Sequence, residues 1–210
     1  LATEVPSAVN GGISADGKRY TFNIREGVRF HQGGTLTAED VAYSLKRHMI
    51  VDPDGEPMWM LLEALTGHSS TRDENGDLVE GIFSTIDRAV TAEENRIVIF
   101  LPRPYPPLLS ILAYTAAAIL DKDWAIARGC WNGDIEDAAR YNNPSPGREP
   151  LQKAANGTGP YRLKQWEPSK QFLFERFDGY WGPAPPLRYA IIKYVKEWST
   201  RKLMLQNGDV

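Results

Sequence analysis

Cysteine is almost missing from this 210-residue chain: Cys130 stands alone. That excludes an intramolecular disulfide and any zinc site built on cysteines. Within Gly129-Cys130-Trp131 it has no histidine nearby in sequence, so it reads as a small semi-buried residue and not as a nucleophile. Basic runs are also missing, since no five Lys/Arg occur in succession, and 24 basic against 27 acidic residues leave a net charge of −3. A mildly acidic, mixed surface argues against a nucleic-acid partner. The longest apolar stretch, residues 108–120, falls short of the roughly 20 residues a bilayer requires and carries Ser110 and Thr115, so it reads as core and no direct membrane insertion is expected. Phosphate loops of the G-x-x-x-x-G-K-[ST] type, G-x-S-x-G elbows and H-E-x-x-H helices are absent. The three histidines, His31, His48 and His68, show no i+3 or i+4 pairing, so each reads as structural and neither metal nor cofactor is expected. His48 falls late in a helix, where a cation suits the dipole. Carboxylates are plentiful, but spacing does not say which two meet, and no catalytic residue is assigned.

What is present is ordinary globular material, 42% hydrophobic and 24% charged, which excludes a disordered tail. Asp16-Gly17 signals a hairpin turn ahead of an alternating strand with Tyr20, Phe22 and Ile24 on one face. After Gly27, residues 28–30 resume the strand, and Gly33-Gly34 forces a turn. Thr37 and Asp40 form a capping box for a helix that Asp52-Pro53-Asp54-Gly55 stops. A second helix opens at Pro57 and closes at Gly67. Residues 82–90 and 96–101 read as strands, the second apolar on both faces and therefore central. A helix runs through Leu112, residues 116–120 read as a short strand, and Asp121 and Asp134 each cap a helix. Residues 142–150, rich in Pro and turn formers, read as a linker. Beyond it come three strands, within residues 157–166, 171–177 and 189–195, and a helix capped by Ser199 or Thr200 and ended by Gly208. The shift in style predicts a mixed α/β domain over 1–155 and a second unit, three strands and a helix, over 156–210. Among six Trp and nine Tyr, most are expected in cores, a minority along a ligand cleft.

Two segments go beyond generic pattern. Residues 20–47 read YTFNIREGVRFHQGGTLTAEDVAYSLKR, and residues 157–187 read GTGPYRLKQWEPSKQFLFERFDGYWGPAPPL. In this order and spacing they resemble the family 5 extracellular solute-binding proteins of ABC importers, a group that includes dipeptide-, oligopeptide- and nickel-binding members. Residues 200–210 resemble the family's following helix. One departure is Gln32, where the family commonly has an acid; Gln hydrogen-bonds turn amides less well, so a local effect is expected.

The resemblance implies a periplasmic-binding-protein-like fragment. Residues 1–155 correspond to a small domain II, residues from 156 to part of domain I, and a second lobe is absent; both ends of the chain read as cuts in a longer protein. It implies capture of a peptide or similar small solute for delivery to the transmembrane permease subunits of an ABC importer, with no catalysis. It also implies a periplasmic or extracellular location, with room for a lipid anchor in a region ahead of Leu1. Backbone groups at Gly157, Thr158 and Gly159 are candidates to approach the ligand, because glycines leave room; the alternative is that the glycines only permit a tight entry into the strand at Tyr161. Tyr114 and Thr115 are the other cleft candidates. A solute-sensing regulator or chemosensory domain, and an envelope hydrolase, remain competing functions.

Overall fold

Alternation and capping account for the first half of the chain. In the computed structural model, which describes residues 1–55, 57–145, 147–151 and 154–209, Arg19–Asn23 forms β1. Thr37 then starts α1, Ala38–Val51: its hydroxyl accepts from the Asp40 amide and the Asp40 carboxylate accepts from the Thr37 amide, the expected reciprocal cap. The Trp59–Thr66 helix, α2, ends on Gly67 at φ 84°. Next come α3 (Ile82–Ala89), β2 (Val90–Glu93) and β3 (Arg96–Phe100). Two short helices, α4 (Leu108–Leu112) and α5 (Lys122–Ile126), lead into irregular chain.

The first sheet is antiparallel, in the order β1-β3-β2, so β3 is central as its two apolar faces predict. Tyr20 and Val90 both lie opposite Ile99, and Phe22 and Ala92 both lie opposite Ile97. These rows face α1 and α3, and α2 packs on α3 and α4, in one core that includes Phe30, Ile50, Leu61, Leu62, Ile86 and Leu108. Each such side chain contributes about 1.5–3 kcal/mol by leaving water.

Several expected elements take another form. Residues 82–89 are helical because Ile82, Ile86 and Ala89 fall on one helical face and are buried there; the strand begins only at Val90. Residues 28–30 make no strand, only one isolated bridge, Arg29 to Thr35. Residues 116–120 form no strand either. Thr115–Ala117 is a 3-10 turn, and the Ser44 hydroxyl accepts from the Leu120 amide at 2.9 Å, so a side chain takes the place of a partner strand. Asp134 caps no α-helix, because its carbonyl accepts from the Trp131 indole at 2.8 Å and the chain tightens into the 3-10 turn Ala138–Tyr141. The expected linker is tied down: Asn142 donates to the Ile50 carbonyl and to Thr71 Oγ1, and Glu149 pairs with Arg47. Pro146, in the middle of it, lies outside the described residues.

The molecule divides into two units, Leu1–Thr158 and Gly159–Val210. In the second, β4 (Tyr161–Glu167), β5 (Gln171–Arg176) and β6 (Tyr189–Lys193) form an antiparallel sheet in that order. Trp166 stacks on Phe172 and Phe172 on Phe174. Helix α6, Trp198–Asn207, follows. It begins earlier than the hydroxyl signal suggested: Glu197 is the extended N-cap residue, and Ser199 and Thr200 lie inside the first turn. None of the described residues of this unit is buried, and Ile192, Trp198 and Leu205 are 59%, 66% and 70% exposed.

Candidate functional site

The segment 155–158, at the end of the first unit, is held by an unusual number of long-range bonds. The His31 amide donates to the Gly157 carbonyl at 2.9 Å. The Gln32 amide donates to Asn156 Oδ1 at 2.9 Å, and the Gln32 side-chain Nε2 donates to the Ala155 carbonyl at 2.9 Å. Asn156 itself is 1% exposed. The turn supplying these partners is anchored by buried Phe30, whose amide donates to the Gly34 carbonyl. Gly34 has φ +82°, and a Cβ there would lie 2.7 Å from Asp121 Oδ2, so only glycine lets the turn approach α5. Asp121 Oδ1 caps α5 by accepting from the Trp124 amide at 2.9 Å. The Trp124 indole donates to Gln32 Oε1 at 3.1 Å, and the Arg128 guanidinium lies 4.0 Å above the Trp124 ring.

Of the sequence-predicted residues, Gly157 and Thr158 sit on this segment, while Gly159 opens the second unit. The Gly157 and Thr158 amides donate to no acceptor among the described residues. A Cβ on Gly157 would be in ordinary contact with His31 Cε1 at 3.8 Å, and one on Gly159 with the Tyr161 carbonyl at 3.9 Å; neither has positive φ. The backbone of the chain therefore does not itself require glycine at either place. Tyr114, 47% exposed, and Thr115 lie where α4 gives way to the 3-10 turn, and no hydrogen bond joins them to 157–158. Sequence reasoning missed His31, Trp124 and Asn156, and saw Gln32 only as a departure. Their bonds to one another span 92 to 124 residues, beyond the reach of any periodicity.

Three ionisable groups, His48, Cys130 and Tyr43, have pKa values shifted by burial. His48 is half-buried; its Nε2 lies 3.1 Å from the Ala118 carbonyl, and burial pulls its pKa down to about 4 against that hydrogen bond. It is thus a neutral donor near pH 7, in contrast to the cation its place in the helix suggested. Burial pushes the Cys130 thiol up, opposed by the Arg47 guanidinium. Tyr43, stacked on Trp131 with ring centroids 5.5 Å apart, donates to the Trp131 carbonyl, and burial raises its phenol. Among the described residues no three His, Cys, Asp or Glu side chains gather as a metal site, and no helix is long and apolar enough to cross a membrane. A recess of about 350 Å3 on the outer face of the first sheet is lined by Glu4, Arg19, Glu93 and Arg96 among others and includes none of the predicted site residues.

What the geometry offers a ligand is backbone donors on an anchored segment of a mixed α/β fold. Periplasmic binding proteins share that fold. The DppA protein from Helicobacter pylori, solved in complex with the peptide STSA, superposes with a TM-score of 0.67 at 24% identity, over 100% of this chain and 36% of its own. A family model described as bacterial extracellular solute-binding proteins, family 5 middle, matches residues 1–210, and the chain belongs to that family. The dipeptide-binding protein of Escherichia coli K12 is 28% identical over 203 residues, and the glutathione-binding protein GsiB of Pectobacterium atrosepticum 25% over 198. Each match covers 94% of this chain, which spans about a third of the relatives' length (33% and 30%).

Proposed function

We propose that this chain is part of the solute-binding component of an ABC importer, and that the solute is a short peptide. The match of the family model to the entire chain carries the reading. The relatives named for dipeptide and glutathione binding support the ligand class. Residues 1–155 act as the small domain II, and residues 156–210 as part of domain I. The protein works outside the cytoplasmic membrane, periplasmic or extracellular, and hands its ligand unaltered to permease subunits.

The ligand contacts on this chain are the backbone groups at Gly157, Thr158 and Gly159, with Tyr114 and Thr115 at the start of the 3-10 turn after α4. Two observations support the first group. A buried backbone donor calls for a partner, and the amide of buried Thr158, like that of half-buried Gly157, has none among the described residues. The glycines are not demanded by local sterics, which favours room for a ligand over the tight-entry alternative. Binding favours whichever arrangement of the protein grips the ligand better, by the difference in affinity between arrangements.

The test is native mass spectrometry of the protein purified at its natural length from its host, followed by calorimetry with the peptide so identified. A bound di- or tripeptide, recovered intact, is the expected result. The 210-residue chain alone should bind the same peptide at least about 100-fold more weakly, a difference of roughly 3 kcal/mol. Peptide cleavage by the purified protein, or tight peptide binding by residues 1–210 alone, overturns the reading.

A further inference from the structure

We infer that Gln32 is a positioning residue, fixing the backbone of residues 155–158 so that the Gly157 and Thr158 groups are presented in one arrangement; the ligand side of this inference rests on the function proposed above. Its carboxamide does two things at once. Oε1 accepts from the Trp124 indole at 3.1 Å, and Nε2 donates to the Ala155 carbonyl at 2.9 Å. The backbone amides of His31 and Gln32 then fasten Gly157 and Asn156 on the same side. The indole is in turn set by Asp121, which caps α5 at the Trp124 amide, and by the Arg128 guanidinium over its ring.

The chemistry at position 32 is specific. An amide has an acceptor and a donor on one planar group, which the indole N–H and the carbonyl require together. A carboxylate keeps the acceptor and loses the donor, and it sets a negative oxygen against the Ala155 carbonyl. The acid common at this position in the family therefore cannot make the Ala155 bond while ionised. In this chain the departure is matched by the partner it holds.

Amide exchange of the 210-residue chain, read by NMR at His31, tests this without any ligand, because the acceptor of the His31 amide is the Gly157 carbonyl. In Q32A that amide should exchange about three- to tenfold faster than in the wild type, the effect of losing partly exposed hydrogen bonds. Q32E at pH 7 should be at least as fast as Q32A. At pH 4.5, close to the ordinary glutamate pKa of about 4.3, a large share of its carboxyls carries a proton and can donate to the carbonyl, which should move the rate part of the way towards that of the wild type at the same pH, with the Trp124 indole resonance moving back in step. A merely space-filling role would not respond to pH. Equal His31 exchange in wild type, Q32A and Q32E overturns the inference, as does a Q32E-to-wild-type ratio that is the same at both pH values. In a second arm, L-alanyl-L-alanine is titrated into the natural-length protein and its Q32E variant at pH 7. Affinity should fall severalfold with Q32E. Failure of the wild type to bind a peptide counts against the proposed function, whereas the exchange arm alone decides the positioning.

Discussion

Gly34 and Gly157 lie on two strands of chain that touch, yet they answer to different constraints. Gly34 has positive φ and no space, with Asp121 Oδ2 2.7 Å from the Cβ position. Gly34→Ala should cost about 1–3 kcal/mol in urea unfolding, because the left-handed backbone and the carboxylate both resist the methyl. Gly157→Ala meets only ordinary contact with His31, so its unfolding free energy should stay within about 0.5 kcal/mol of wild type. A large loss for Gly157→Ala would return the glycine to a purely structural role. His48 gives a pH signature at the same scale. Its pKa is lowered from 6.5 to about 4 by burial, with Arg47 adding to the effect and the Ala118 carbonyl opposing it. The unfolded chain therefore takes the proton first, and the contribution of the neutral ring, complete above pH 6.5, is lost as pH falls towards 4. The loss is on the order of 2–3 kcal/mol. In His48→Gln, whose amide can still donate to Ala118, the fall in stability between pH 6.5 and 4 should be shallower than in wild type.

Among the elements, α1 carries more of the first unit than its length suggests. Asp40 closes the capping box with one oxygen, while the other accepts from the Lys122 amide at 2.8 Å at the start of α5. The next turn repeats the device, with the Ser44 hydroxyl bonded to the Asp40 carbonyl and to the Leu120 amide. Thr37→Ala should cost about 1 kcal/mol, the usual worth of a cap. Asp40→Ala should cost more, about 2–3 kcal/mol, since it also strips the partner from a second helix's first amide. Equal losses for the two variants, measured by denaturant titration, would mean that the bond to Lys122 contributes nothing. The capping box was legible because its partners are three residues apart. The helical nature of residues 82–89 was not: Ile, Phe and Thr suit strands, and the packing of Ile82, Ile86 and Ala89 into the core prevailed over that preference.

For the molecule as a whole, charge and burial divide along the same line. Residues 159–210 carry nine basic and five acidic residues, a net of +4, while residues 1–158 carry fifteen and twenty-two, a net of −7. The first unit has a continuous core; the second has no buried residue among those described. Strands that bury so little apolar surface open easily. In hydrogen exchange by mass spectrometry on the 210-residue chain, β4, β5 and β6 should therefore lose protection at least about tenfold faster than α1 and β3. Equal protection in the two sheets would contradict this picture.

Local chemistry settles much of this protein. Caps at Thr37 and Asp121, stops at Gly67 and Gly208, the central position of residues 96–100 and the hairpins of the second unit all depend on neighbours a few residues apart, where composition and periodicity act directly. The family resemblance rests likewise on two contiguous stretches. Tertiary structure alone decided that residues 82–89 wind into a helix, that Leu120 pairs with a serine hydroxyl, that His48 stays neutral and that Gln32 grips Ala155. Each of those outcomes turns on which distant group arrives at hydrogen-bond distance or shuts out water, and sequence spacing carries no record of that.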